Sequence, residues 1–452
     1  MTVRTVLAAP AAAGRLVAGL LAAALALCLA AAGPVPLEGL AIVDVAVIDG
    51  TGAAPVLHRT VLVESGRIKA VTAADRPPPG RYRRIDGRGR TLIPGLWDMH
   101  VHALWDEAAP AAFFPRFVAN GVTTVRDMGG NEAGERAAAE FAASRRAWSP
   151  VVFRSGRILD GPAPVDPSVS IAVSSPAEAR AAVDRLADSG VHFIKVYTLL
   201  SRDAFLAAAA RARERNLPVA GHLPTEVTIE DAAVAGMASI EHMQAEIGGY
   251  CPASDEAACG PIFSRLAAVG IAQTPTLIAR YHRGHGAAHP EWSGEPEFAL
   301  MPKIVRDYWR SALDAWVAAP PERALARLRD FEHEQRMAAW LAASDAVVLV
   351  GSDTGTPFAY PGRSLHEELE LLVGAGMTPL EVISAATWGA ARFMGAGERS
   401  GRIAPGYDAD LVLLDADPSA DIRATRRIRA VVRAGVLHDR AALNRVLAEG
   451  RP

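Results

Sequence analysis

Between residues 96 and 353, short apolar runs alternate with alanine-rich stretches of helical spacing, and nothing else in the chain constrains its fold as much. The runs at 96–102, 122–127, 151–154, 193–197, 219–222, 238–242, 271–275 and 347–353 have the length and bounding residues of buried strands. Stretches such as 176–189 and 201–215 carry Ala and Leu at helical intervals. Eight strand–helix units in roughly 250–300 residues is the count of a (β/α)8, or TIM, barrel of the α/β class, here expected over 94–392. The connection after Pro275 runs to about residue 344 and holds Tyr281, His282, His285, His289 and Trp292, followed by two amphipathic helical stretches. An excursion of that length reads as a lid, with His282 and His285 on its surface.

The two ends have a different texture. Alternating runs broken at glycines occur at 41–50, 61–68 and 84–89, and again at 401–415 and 428–437. The expectation is a small β-sandwich built jointly from 38–93 and 401–440, flanking the barrel. Ahead of it, Arg4 and Arg15 precede an uncharged Ala/Leu-rich run over 16–32 that ends in Ala30-Ala31-Ala32. This has the form of a secretory signal peptide over 1–32 and implies an exported protein, periplasmic or secreted. Membrane contact is expected only if that segment stays uncleaved. Removing it leaves Cys251 and Cys259, which an oxidising compartment would join in a disulfide; a zinc site there lacks a nearby third ligand. Half the residues are apolar, 21% are charged, and the net charge is −3 with both signs interspersed. That is a globular composition with no electrostatic footprint for nucleic acid.

In such a barrel the chemistry lies at the C-terminal ends of the strands. Those ends carry His100 and His102, Lys195, His222, His242 and Asp353. Side chains alternate along a strand, so His100 and His102 project from the same face as a pair of neutral nitrogen ligands for a divalent metal. Taken singly, each residue has an ordinary structural reading: an ion-paired lysine, a satisfied histidine, an aspartate capping a turn. Six of them at five strand ends on one face point instead to a metal centre. Tyr197, two residues beyond Lys195, and Arg154, at the end of the third strand, are candidates for substrate binding. Arg126 reads as the partner of Asp127 or another acid.

These motifs resemble the amidohydrolase superfamily. The resemblance rests on Pro94-Gly95-Leu96-Trp97-Asp98-Met99-His100-Val101-His102, on Gly121 to Asp127, on Ile194-Lys195-Val196-Tyr197 and on Gly221-His222. Ile240-Glu241-His242, Gly351-Ser352-Asp353, Thr387 to Ala390 and Gly401 to Val412 extend it over nearly the whole chain beyond the leader. It is nearest to the imidazolonepropionase-like and Xaa-Pro or Xaa-Arg dipeptidase branch. The resemblance implies two divalent ions, zinc by preference, with manganese, cobalt or iron able to use the same ligands. His100, His102 and Asp353 would bind one ion and His222 and His242 the other, bridged by Lys195 after carbamylation by carbon dioxide. It further implies hydrolysis of an amide-type C–N bond in a dipeptide, N-acyl amino acid or cyclic amide. The attacking group would be a metal-bridging hydroxide, with Asp353 as general base and then acid. The partner would be a small-molecule amide or peptide. Gly221-His222-Leu223-Pro224 lacks the aromatic residue that related dipeptidases carry shortly after this histidine. Two alternatives stand beside this reading: a mononuclear deaminase or cyclic-imide hydrolase, and an exported binding protein of the same fold without activity.

Overall fold

The computed structural model describes residues 39–243, 251–252 and 255–450. The leader expected at 1–32 lies outside them. The N-terminal segment forms β1 (Gly39–Val47), β2 (Val56–Glu64), β3 (Arg67–Ala73), β4 (Tyr82–Asp86) and β5 (Thr91–Pro94). The central strands are β6 (Leu96–Val101), β7 (Val122–Asp127), β8 (Val151–Arg154), β9 (Ile158–Asp160), β10 (Ser170–Ala172), β11 (Ile194–Val196), β12 (Val219–Gly221), β13 (Met237–Glu241) and β14 (Ala272–Thr274). The chain closes with β15 (Leu411–Leu414), β16 (Ile428–Arg433) and β17 (Val436–Asp439).

The two chain ends meet, as their shared texture predicts. They do so in one continuous eight-stranded sheet, ordered β17-β16-β15-β5-β1-β2-β3 with β4 on β1, whose ladders do not divide into two sheets. The join is β5 against β15, antiparallel, with Leu92 opposite Leu413. Alternation then gives each face its own task. Leu92, Leu411, Leu413 and Val432 pack with Ile42, Val61 and Ile68 into a core of this sheet's own. Ile93, Val412, Leu414 and Val431 point the other way, into the large central core.

The central strands are parallel and fall into two sheets, β6-β7-β8 and β10-β9-β11-β12-β13-β14. Residues 347–354 lie between them: Leu349 N donates to Gln273 O of β14, and Met99 N of β6 donates to Val350 O, each at 2.8 Å. On the other side a single backbone–backbone bond, His192 N to Arg154 O at 2.9 Å, connects β8 with the approach to β11. Among the described residues, regular pairing therefore stops short of a closed ring. The expected third strand is interrupted. Arg154 pairs with Asp127, the chain turns through Gly156 in a left-handed conformation, and Leu159 of β9 then pairs with Val196. Strands β9 and β10 are not in the sequence reading: they are three residues each and, unlike β11, β12 and β14, lie outside any of its apolar runs.

Helix boundaries follow their caps. Ser175 and Ser201 accept from Glu178 N and Ala204 N, so helices begin at Pro176 and Arg202, each one residue after its cap. The long excursion is mainly helical, over Leu277–His285, Lys303–Val317 and Pro321–Ala342. His282 is not on its surface: the ring is buried, edge-on to Trp292 with centroids 5.2 Å apart. Cys251 and Cys259 are joined in a disulfide.

Candidate metal centre

The histidine pair lies at the end of β6, where its pairing with β7 is irregular. The β6–β7 register shifts between Asp98 and Val101, the stretch that carries His100, and His102 follows one residue beyond it. Both Nε2 atoms come within 3.4 Å of Asp353 Oδ1. The His242 ring stands 4.6 Å from His100, and the His222 ring 4.9 Å from His242, centroid to centroid. Lys195 is fully buried, its Nζ 5.6 Å from the Tyr197 ring, which in turn lies 4.1 Å from His222. Five strand ends thus deliver His100, His102, Lys195, His222, His242 and Asp353 to one locus, with Tyr197 against it.

Each imidazole is held by its Nδ1. His100 Nδ1 is bonded to Glu241 Oε2 at 2.9 Å, His222 to Thr198 Oγ1 at 2.8 Å and His242 to Thr276 Oγ1 at 2.6 Å. His102 makes a longer bond to the Gly129 carbonyl, 3.4 Å. The Thr276 hydroxyl donates to Pro275 O, so it accepts from His242 Nδ1–H and leaves Nε2 as the unprotonated nitrogen. Bonds of this kind set the tautomer that a metal ligand requires. His100 Nε2 and Asp353 Oδ1 are buried yet make no hydrogen bond. One donor atom from each of His100, His242 and Asp353 lies within 4.8 Å of the other two, a set that suits a divalent cation.

The electrostatics favour neutral nitrogen at His100 and His242 and ionised oxygen at Asp353; at His102 burial, which lowers it, is outweighed by the Asp353 carboxylate, and the ring is raised. Burial, then the Lys195 charge, lowers His100 to about 4. Burial and the neighbouring rings of His100 and His222 put His242 well below the usual histidine value. Burial works against ionisation of Asp353, but His100 and His102 outweigh it and hold the carboxyl below the ordinary range. The backbone is strained at the same place: His242 has φ 68°, Asp353 φ 56° and Thr276 φ 51°, left-handed values that non-glycine residues adopt at a cost of about 1–3 kcal/mol each.

Several supporting residues had no role in the sequence reading. Glu241 links His100 to Arg126, whose Nη2 donates to both carboxylate oxygens at 2.7 and 2.8 Å. Arg126 is therefore paired with an acid, as its position suggested, but across the strands and not with adjacent Asp127. Asp127 instead accepts from Ala103 N and Leu104 N, fixing the turn after His102. Asp98 accepts from Ser352 N and Ser352 Oγ, at 2.9 and 2.5 Å, and so ties the Asp353 segment to β6. The only sequence signal for this was the position of Asp98 two residues before the His-x-His pair and of Ser352 beside Asp353. Arg154 is not brought to the cluster. Its guanidinium bonds Glu135 Oε2 at 3.0 Å and Ser189 O at 2.8 Å, on the helix-facing side of β8.

This chain belongs to the amidohydrolase family, whose sequence model matches residues 91–437 and whose members have the TIM-barrel fold. The chain is a hydrolase acting on carbon–nitrogen bonds. It is 25% identical over 428 residues to the ochratoxinase of Aspergillus niger, covering 83% of this chain and 81% of that one. It is 27% identical over 379 residues to the imidazolonepropionase of Klebsiella pneumoniae subsp. pneumoniae, covering 80% and 86%. The solved structure of bottromycin amidohydrolase superposes with a TM-score of 0.73 at 26% identity, over 92% of each chain.

Proposed function

We propose that this protein is an exported, metal-dependent amidohydrolase that cleaves an amide bond in a small molecule or short peptide. It works in a (β/α)8 barrel whose eighth strand is supplied by residues 347–354. In this reading His100, His102 and Asp353 hold one divalent ion, and His222 and His242 hold a second. Lys195, carbamylated by carbon dioxide, would supply a carboxylate ligand shared by the two, and zinc is the first choice of metal. The observation that carries the reading is the convergence of four imidazoles whose Nδ1 atoms are all engaged, with His100 and His102 turning Nε2 to the Asp353 carboxylate. When bound, the ions polarise the scissile carbonyl and bring water near its ionisation point at neutral pH. Carbamylation suits Lys195 because a buried ammonium would repel two cations, whereas a carbamate is a carboxylate-like bridge. The Asp353 carboxylate takes the proton released during attack and returns it to the leaving nitrogen. Glu241 and Arg126 keep His100 in its ligating tautomer throughout.

The test is metal content together with turnover. Lys195→Ala should lose at least one of two metal equivalents and nearly all hydrolysis, with short carboxylic acids restoring part of it. Asp353→Asn should keep much of the metal and lose the proton transfer. Full activity and two bound ions in Lys195→Ala would overturn the bridge. A single equivalent in the wild type would favour a one-metal enzyme built on the tight triad of His100, His242 and Asp353.

A further inference from the structure

Arg280 lies on the helix Leu277–His285 that follows β14, four residues after the Thr276 whose hydroxyl holds His242. Its side chain is only 13% exposed. Among the described residues its guanidinium makes no hydrogen bond and has one ion-pair partner, Glu334 on the helix Pro321–Ala342. Arg280 Nε and Glu334 Oε2 are 3.5 Å apart, and that Nε is buried without a hydrogen bond. Glu334 also faces the charge of Arg283, together with Asp330. One helical turn separates Arg280 from Thr276, and helical side chains lean toward the helix N-terminus, so its guanidinium is carried back toward the end of β14 where His242 is held. A guanidinium carries five N–H donors in a planar fork, and burial without acceptors is costly; the group that satisfies the fork best is a carboxylate, bound through two parallel bonds. Arg154, the other cation considered for this role, already has its acceptors.

We propose that Arg280 anchors a carboxylate on the substrate beside the metal centre, which makes the preferred substrate an anionic amide, such as a dipeptide or N-acyl amino acid, and not a neutral cyclic amide. This rests on the amidohydrolase function proposed above and adds to it the charge of the substrate and the residue that reads it. The excursion thereby supplies specificity from outside the strand ends: Arg280 from its first helix, tuned by Glu334 from its last.

The experiment compares N-acetyl amino acids with their C-terminal amides on zinc-loaded protein, by kcat/KM and, independently of turnover, by calorimetric binding. The wild type should prefer the acid by about ten- to a hundredfold, the range of one charged hydrogen-bonded contact. Arg280→Gln should collapse the acid-to-amide ratio toward one while two metal equivalents remain bound. Arg280→Lys, which keeps the charge but not the fork, should fall between. Glu334→Gln should move the ratio the opposite way, because it removes a competing carboxylate; a purely structural pair would make both changes harmful alike. Equal binding of acid and amide by the wild type, binding of neither, or an unchanged ratio in Arg280→Gln overturns the proposal. Absence of any hydrolysis by the wild type counts against the amidohydrolase function instead, and the binding ratio still decides the role of Arg280.

Discussion

Replacing Arg126 by Met tests whether the buried Arg126–Glu241–His100 chain sets the chemistry of the centre. Arg126 and Glu241 have side-chain exposures of 1% and 0%, so the modest values measured for surface pairs do not apply. Removing one partner of a buried pair leaves an uncompensated charge and typically costs about 3–5 kcal/mol. Burial by itself would raise Glu241; Arg126, then the bond to His100, hold it below the usual carboxylate range. A depressed carboxylate contributes stability that is present above its unfolded value and is lost as pH falls through the folded one. Without Arg126 that contribution disappears, Glu241 takes up a proton more readily, and a neutral carboxyl no longer selects the His100 tautomer with Nδ1–H. Metal affinity should then fall about 10- to 100-fold, the usual effect of losing such a supporting group. The assay is urea unfolding of the metal-free protein, together with metal titration, for Arg126→Met, Glu241→Gln and the double variant. The double variant should be less destabilised than the sum of the two singles, since it leaves no orphaned charge. A loss below about 1 kcal/mol in Arg126→Met, with metal affinity intact, would refute the argument.

Two further predictions follow from positions beside the centre. Gly221, with φ 137°, precedes His222, and a Cβ there would sit 2.1 Å from the Val196 carbonyl. Gly221→Ala should therefore displace His222 and lower metal content even where the protein folds, as read by elemental analysis of purified protein; two full equivalents would contradict this. Glu368 is buried, accepts from Ile278 N at 2.7 Å, and is raised to about 8, first by burial and further by the Asp98 and Asp353 charges, against the backbone bonds of Ile278 and Leu277. A carboxyl raised above its ordinary 4.5 favours the folded state fully below that value, and the benefit is lost as pH climbs to about 8. Glu368→Gln should flatten the wild-type decline in unfolding free energy over that window, and parallel profiles for the two proteins would remove Glu368 as its cause.

Local pattern carried the architecture a long way. Strand runs are legible because a two-residue period and glycine punctuation are properties of neighbouring residues, and His100 with His102 needs nothing more than that period to be read as a pair. Strand-end position likewise singled out Lys195, His222, His242 and Asp353 before any coordinates. What the sequence could not determine depends on contacts between distant segments. Arg126 meets Glu241 across 115 residues; from the chain alone, Asp127 next door was an equal candidate. Arg154 ends a strand and Arg280 follows one, and each meets an acid on a different helix, Glu135 and Glu334, a choice made by how helices pack on the strands. The third strand breaks at Gly156, and beyond it β9 pairs with β11 and β10 with β9, partners distant in sequence or absent from its local pattern. Periodicity is encoded locally, whereas register and the choice of ion-pair partner are settled by competition among segments far apart in the chain, which only the tertiary structure resolves.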